Sequence, residues 1–170
     1  GLGDVYKRQI KDHPYIIASY LWNMFDFAVP MWTRGGVPAR NMKGLVTFDR
    51  KIKKDSYFWY KANWSENPVL YLTQRRNVDR EKRMTTVTVY SNIGTPKVYL
   101  NGKELGGIRK GYTDVHYIFD NVVLADGKNV LKAVAAIKGK EYTDEIVWNY
   151  SGEKNREVDS YENKNEHSGF

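Results

Sequence analysis

The sequence predicts a mainly β chain, with an antiparallel β-sandwich over about Val69–Tyr150 preceded by one strand–loop–helix unit. Three observations carry this. From Val69 onward the apolar residues recur with period two, as in Val87-Thr88-Val89-Tyr90. Turn signals punctuate that region at Asn101-Gly102, Asp126-Gly127 and Lys138-Gly139-Lys140. Before Val69 the pattern differs: a nearly continuous apolar run gives way to a Gly- and Pro-bearing stretch and then to aromatics at helical spacing.

The elements follow in order. Tyr15–Phe27 (Tyr-Ile-Ile-Ala-Ser-Tyr-Leu-Trp-Asn-Met-Phe-Asp-Phe) reads as a strand buried on both faces, as in a parallel sheet or barrel. The stretch from Ala28 to about Thr47 holds Pro30, Gly35, Gly36, Pro38 and Gly44, so it reads as a long loop. It also carries Trp32, Arg34, Arg40, Asn41 and Lys43, which suit a binding loop better than a tether. Lys53–Trp64 reads as a helix with Asp55 in its first turn, where a carboxylate complements the helix dipole. Tyr57, Tyr60, Lys61 and Trp64 share one face of it, with Phe58 and Ala62 alongside. The predicted strands are Val69–Gln74, Met84–Ser91, Lys97–Leu100, Val115–Leu124, Asn129–Lys138 and Tyr142–Tyr150. Short strands separated by turns every ~8–12 residues predict a sandwich of immunoglobulin type. The Cys…Trp…Cys spacing of antibody domains is absent.

Bulk properties bound the rest. One hundred and seventy residues amount to about one domain. Five Trp, thirteen Tyr and six Phe exclude a chain that buries nothing. No apolar run approaches the ~20 residues of a spanning helix, so no membrane partner is expected. Without cysteine there is neither a disulfide framework nor a thiolate metal site. The net charge of +7 invites a nucleic-acid reading. Two short basic runs, Arg50–Lys54 and Arg75–Arg83, are flanked or interrupted by acids, and no nucleic-acid motif accompanies them. They read as a solvated face, and no nucleic-acid partner is expected. Gly1–Gln9 reads as a non-native leader without an apolar signal core. The polar stretch Ser151–Phe170 reads as a linker to a further domain.

Candidate sites are few. His13, His116 and His167 lie far apart without ligand spacing, and no phosphate or dinucleotide loop is present, so no metal and no cofactor are expected. Asp26 has no second carboxylate at glycosidase spacing and reads as a buried acceptor for its loop. Trp22 lies near the C-terminal end of the predicted strand. Barrel enzymes place their sites there, so its indole either stacks on a sugar or fills a core. Asn41 and Lys43, two apart, either present an amide and an ammonium to one polar ligand or sit in an ordinary solvated loop.

Three stretches closely resemble glycoside hydrolase family 2: Tyr20-Leu-Trp-Asn-Met-Phe-Asp-Phe, then Arg40-Asn-Met-Lys-Gly-Leu-Val-Thr-Phe-Asp-Arg-Lys, then Lys53-Lys-Asp-Ser-Tyr-Phe-Trp-Tyr-Lys-Ala-Asn-Trp. They are similar to the last strand, loop and helix of the catalytic barrel in the β-galactosidases of gut bacteria. Arg75-Arg76, Val87–Asn92 and Tyr99-Leu100-Asn101-Gly102 resemble the immunoglobulin-like domain that follows it. The resemblance covers about Pro14–Tyr150. It implies a mainly β fold, an immunoglobulin-like β-sandwich preceded by the last strand-loop-helix of a truncated (β/α)8 barrel. The implied divisions are a leader over 1–9, a barrel fragment over 10–66, the sandwich over 67–150 and a linker over 151–170.

For function the resemblance implies part of a retaining β-glycosidase, most nearly a β-galactosidase, with a β-glucuronidase as the alternative. A non-catalytic carbohydrate-binding or structural sandwich module is the reading from a different class. The substrate-binding residues implied are Trp22, packing against the sugar, with Asn41 and Lys43, which match the Asn-x-Lys motif that holds the carboxylate of glucuronides. The implied partners are a carbohydrate substrate (β-galactoside or β-glucuronide) and the remaining domains of the same polypeptide, in a periplasmic or secreted parent protein. The family's acid/base and nucleophile glutamates lie on earlier barrel strands, and neither is in this sequence. The 170 residues alone are therefore expected to hydrolyse no glycoside.

Overall fold

The computed structural model describes residues 9–10, 12–31 and 37–152. Most of the leader, the tail beyond Gly152, and Trp32, Arg34 and His167 lie outside the described residues. Two sheets form the body of the chain. The strands are β3 (Leu70–Leu72), β4 (Asp79–Arg80), β5 (Met84–Ser91), β6 (Lys97–Leu100), β7 (Lys103–Glu104), β8 (Ile108–Lys110), β9 (His116–Val123), β10 (Gly127–Ile137) and β11 (Lys140–Tyr150). One sheet has the order β3-β5-β9-β8 and the other β4-β11-β10-β6-β7. With the two-residue edge strands β4 and β7 set aside and the rest lettered in chain order, the sheets have the orders A-B-E-D and C-F-G, the same orders as in immunoglobulin-type sandwiches. β7 extends the second sheet beyond β6, and β4 adds a parallel edge to β11.

Alternation explains why these segments face each other. Val87, Val89 and Ser91 of β5, Asn129, Leu131, Ala133 and Ala135 of β10, and Ile146, Trp148 and Tyr150 of β11 all point inward. Of these, Val87, Val89, Leu131, Ala133, Ile146, Trp148 and Tyr150 meet Leu72, Val98 and Phe119 in one core, where each fully buried Val or Leu is worth roughly 1.5–3 kcal/mol. Two of the three predicted turn signals close hairpins, whereas Asp126-Gly127 leads from β9 of one sheet into β10 of the other. Asn101-Gly102 joins β6 to β7 and Lys138-Gly139 joins β10 to β11. Both residues of each pair have positive φ, the type I′ geometry that matches strand twist.

The helix α1 (Asp55–Trp64) starts two residues later than predicted and turns a different face to the sandwich. Phe58 and Ala62, one turn apart, pack on Val69 and Tyr71, and the Phe58 and Tyr71 rings stack 3.8 Å apart. Trp59 is also buried, whereas Trp64 is 61% exposed. Asp55 ties the first helical turn to β3, because its carboxylate accepts from the Tyr71 hydroxyl (2.7 Å) and the Gln74 N–H (2.8 Å). Burial, and then that carboxylate, push the Tyr71 phenol above its ordinary value. A phenol whose pKa is raised by folding stabilises the fold fully below about pH 10 and loses that contribution as pH climbs further. Tyr71→Phe is therefore expected to cost about 1 kcal/mol at pH 7. The gap between the two proteins should narrow above about pH 10, as denaturant titrations at pH 7, 9 and 11 would read.

The basic stretch Arg75–Arg83 is only in part the solvated face predicted: residues 77–79 and 81–83 are exposed, but Arg80 is buried and three arginines lie over rings. Arg75 lies over the Tyr71 ring and pairs with Asp144. Arg80 lies 4.0 Å from the Trp148 ring centroid and donates to Gln74 (2.6 Å) and Thr85 (2.5 Å). Arg83 lies over Tyr150 and pairs with Asp126 (2.6 Å). The guanidinium planes of this stretch cover aromatic rings of the sandwich.

The segment from Tyr15 also departs from expectation. Residues 15–24 form no strand, and Tyr15, Ile17, Tyr20 and Trp22 are exposed. The physical reason is that a run apolar on both faces needs neighbours on both faces, and no described residue supplies them. Pairing begins at Phe25, which bridges Val46 in parallel, and continues in the two-stranded sheet of β1 (Phe27–Ala28) and β2 (Arg40–Asn41).

Candidate functional site

The small N-terminal layer is built around residues 23–28, which receive the chain returning through 40–46. The Leu45 N–H donates to the Asn23 carbonyl (3.1 Å) and the Val46 N–H to the Met24 carbonyl (2.9 Å). The Asp26 N–H donates to the Val46 carbonyl (3.0 Å). The Lys54 N–H in turn donates to the Leu45 carbonyl (2.8 Å), which attaches the helix start to the same layer. Gly44 sits where these chains cross. A Cβ there would lie 2.2 Å from the Asp26 nitrogen and the Phe25 carbonyl carbon, so the close approach requires glycine.

The sequence-predicted residues collect on this layer. Trp22 is 78% exposed, and its ring meets Phe27 edge-on at 6.3 Å. The Trp22–Asn23 peptide is cis. Phe27 is the register partner of Asn41 across β1 and β2, so one residue links the indole to the loop. The Asn41 Oδ1 accepts the Lys43 N–H (2.9 Å), closing a turn in which the Asn41 Nδ2 is the donor that remains. Lys43 is exposed, and among the described residues no ion pair engages its ammonium. Trp22 is thus exposed in this chain, and Asn41 is an ordered turn residue.

Asp26 is buried, as its reading as a loop acceptor predicted. Its Oδ1 takes the Gly44 N–H (2.9 Å) and the Lys54 Nζ (2.6 Å). Lys54 was missed by sequence reasoning, which placed it in a solvated run. The one available signal was the requirement that a buried carboxylate find a cation. Beside the pair lies a cleft of about 420 Å³ that also includes Arg40, Phe48 and Arg76 but neither Trp22 nor Lys43. A larger cleft of about 750 Å³ lies on the outer face of the β3-β5-β9-β8 sheet, between Asp55, Gln74, Tyr90, Arg109 and Tyr112. Arg109 on its rim pairs with Asp120, which holds that carboxyl below its ordinary range. Of the histidines, His116 lies in β9 as expected, and the His13 Nδ1 contacts the Gln9 carbonyl (2.6 Å).

Comparison with known proteins gives the following. The family described as a domain of unknown function, DUF4982, matches residues 82–143. A β-glucuronidase of Bacteroides fragilis is 34% identical over 146 residues, covering 85% of this chain and 21% of the relative. A crystal structure of a B. fragilis protein, provisionally described as a β-galactosidase, is 85% identical with a TM-score of 0.86. That match covers 93% of this chain and 24% of the other. An FMN-binding β-glucuronidase of Faecalibacterium prausnitzii L2-6 is 42% identical with a TM-score of 0.75, covering 88% of this chain and 22% of its own. The chain spans about a fifth of the length of the curated relatives it matches.

Proposed function

The chain belongs to glycoside hydrolase family 2, and from that premise we propose that it is a segment of a retaining β-glycosidase. In this reading residues 10–66 complete a catalytic (β/α)8 barrel, and residues 67–150 are the immunoglobulin-like domain that braces it. The exposed apolar side chains of Tyr15–Phe25 support this, because the neighbouring strands of a barrel would cover them. Two carboxylic acids elsewhere in the enzyme do the chemistry. One protonates the leaving oxygen, and the other forms and releases the glycosyl intermediate. This segment contributes binding. The Trp22 indole offers a flat apolar face for a sugar ring, and the Asn41–Lys43 turn offers an amide donor and an ammonium two residues apart.

That donor pair carries the choice of substrate. With the Asn41 Oδ1 engaged by the Lys43 N–H, the two polar groups that remain, the Asn41 Nδ2 and the Lys43 ammonium, both donate, and one is charged. An acceptor-only, anionic substituent satisfies them best, which favours the carboxylate of a terminal β-glucuronide. A terminal β-galactoside is the second reading, favoured by the description of the 85% identical B. fragilis protein.

The test uses the full-length enzyme with Lys43→Met. Loss of one charge-assisted contact is expected to lower kcat/KM for a chromogenic β-glucuronide by about 10–10²-fold. Activity on the matching β-galactoside should change less than about 3-fold. Galactosidase activity that depends on Lys43, with no glucuronide turnover, would establish the second reading instead. The 170-residue chain by itself is expected to give no turnover of either substrate above a blank preparation.

A further inference from the structure

We infer that Asp26 and Lys54 are positioning residues that set the Asn41–Lys43 turn for sugar binding. This rests on the reading of that turn given above. The geometry is a closed circuit around a single residue. The Lys54 ammonium donates to the Met42 carbonyl (2.8 Å) and to the Asp26 Oδ1 (2.6 Å), and the same oxygen accepts the Gly44 N–H (2.9 Å). One ion pair therefore grips the backbone on both sides of Lys43. The Lys43 N–H itself is held by Asn41 (2.9 Å). The side chains of the pair are 4% and 13% exposed for Asp26 and Lys54, so water competes little for these contacts.

A tie between strand and helix would not need this chemistry. A buried ion pair is seldom more stabilising than apolar side chains of the same volume. What apolar groups cannot do is bind a carbonyl on one side of a residue and an N–H on the other. The pair also acts from both flanking elements, Asp26 at the end of residues 23–26 and Lys54 at the start of α1, so the turn is referenced to both. Gly44 supports the same reading, because only a residue without Cβ allows its N–H to approach Asp26 this closely. The Lys43 side chain is left outside the circuit and exposed.

The experiment has two arms. In the 170-residue chain, the neutral replacement Asp26→Asn/Lys54→Met keeps shape and one acceptor but removes the grip on Met42. Amide exchange of residues 42–45 is expected to accelerate about 10-fold or more, while Val87 and Val89 in the sandwich stay protected. Unchanged exchange across 42–45 would overturn the inference. In the full-length enzyme, kcat and KM are compared for the wild type, Lys43→Met, the neutral pair and their combination.

A positioning role predicts that the neutral pair raises KM with little change in kcat. It also predicts that the combination is no worse than Lys43→Met alone. Losses that multiply, or a fall in kcat at constant KM, would mark the pair as merely structural. Lys54→Arg retains the charge and the donors and should restore KM to within about 3-fold. If it fails to do so in a folded enzyme, the circuit is not what positions the turn. Should Lys43→Met alone leave both substrates unaffected, the sugar-binding reading of the turn fails. The exchange arm still decides whether the circuit holds the turn.

Discussion

Trp148→Ala is expected to lower the stability of the sandwich by about 3–5 kcal/mol, the range for removing a large aromatic from a core. Trp148 is 1% exposed and lies on the inner face of β11 between Ile146 and Tyr150, with Asn129 as its register partner on β10. Truncation leaves a void in the core and strips the Arg80 guanidinium of the ring beneath it. Arg80 is itself largely buried, and burial already holds its pKa below the ordinary arginine value. A domain of this size has ~5–15 kcal/mol to lose, so the variant should unfold at a much lower urea midpoint with an unchanged m-value. Trp64→Ala is the control: Trp64 is 61% exposed, and a change within about 0.5 kcal/mol is expected. A loss below about 1 kcal/mol for Trp148→Ala would mean that the core is not built around this indole.

The same contrast explains what could be read from the sequence. Met84–Ser91 and Lys97–Leu100 were predicted with the bounds the structure gives, because one buried face and one exposed face imprint a period of two. The dipeptides Asn101-Gly102 and Lys138-Gly139 fixed their hairpins, since few residues accept positive φ twice in succession. Strands β4, β7 and β8 left no such trace. Lys103-Glu104 and Ile108-Arg109-Lys110 are exposed, and they are strands only because a neighbour's edge offers hydrogen bonds.

Side-chain partnerships were less legible. Nothing in the spacing of Arg75, Arg80 and Arg83 says that aromatics from β3 and β11 lie beneath them. The inward face of α1 was misjudged because the sandwich decides it. Phe58 and Ala62 face inward because Val69 and Tyr71 are there to meet them. At the candidate site, Trp22, Asn41 and Lys43 are proposed through family resemblance alone, whereas the burial of Asp26 was legible in its apolar surroundings. Lys54, 28 residues away from Asp26, follows no local rule.

Gly44→Ala should be the most damaging single change to the candidate site while sparing the sandwich. A Cβ at this position meets backbone atoms at 2.2 Å, and backbone cannot rotate away as a side chain can. Relief requires residues 25–26 and 44 to separate. That breaks the Gly44 N–H bond to Asp26 and loosens the hydrogen bonds that join residues 23–26 to 45–46. The local cost is expected to be at least about 3 kcal/mol, at the upper end of overpacking effects. In the 170-residue chain the Leu45 and Val46 amides should then exchange freely. The core of Leu72, Val89 and Trp148 belongs to a separate cluster and should melt as before. In the full-length enzyme, a displacement of about 1 Å at the Asn41–Lys43 turn is expected to cost about 10²-fold in kcat/KM. Gly106→Ala, whose Cβ would meet nothing within 4 Å, should change neither measurement. If Gly44→Ala left exchange at Leu45 and Val46 unchanged, the close crossing of the two segments would not exist in solution, and the turn would have no rigid base from which to hold a sugar.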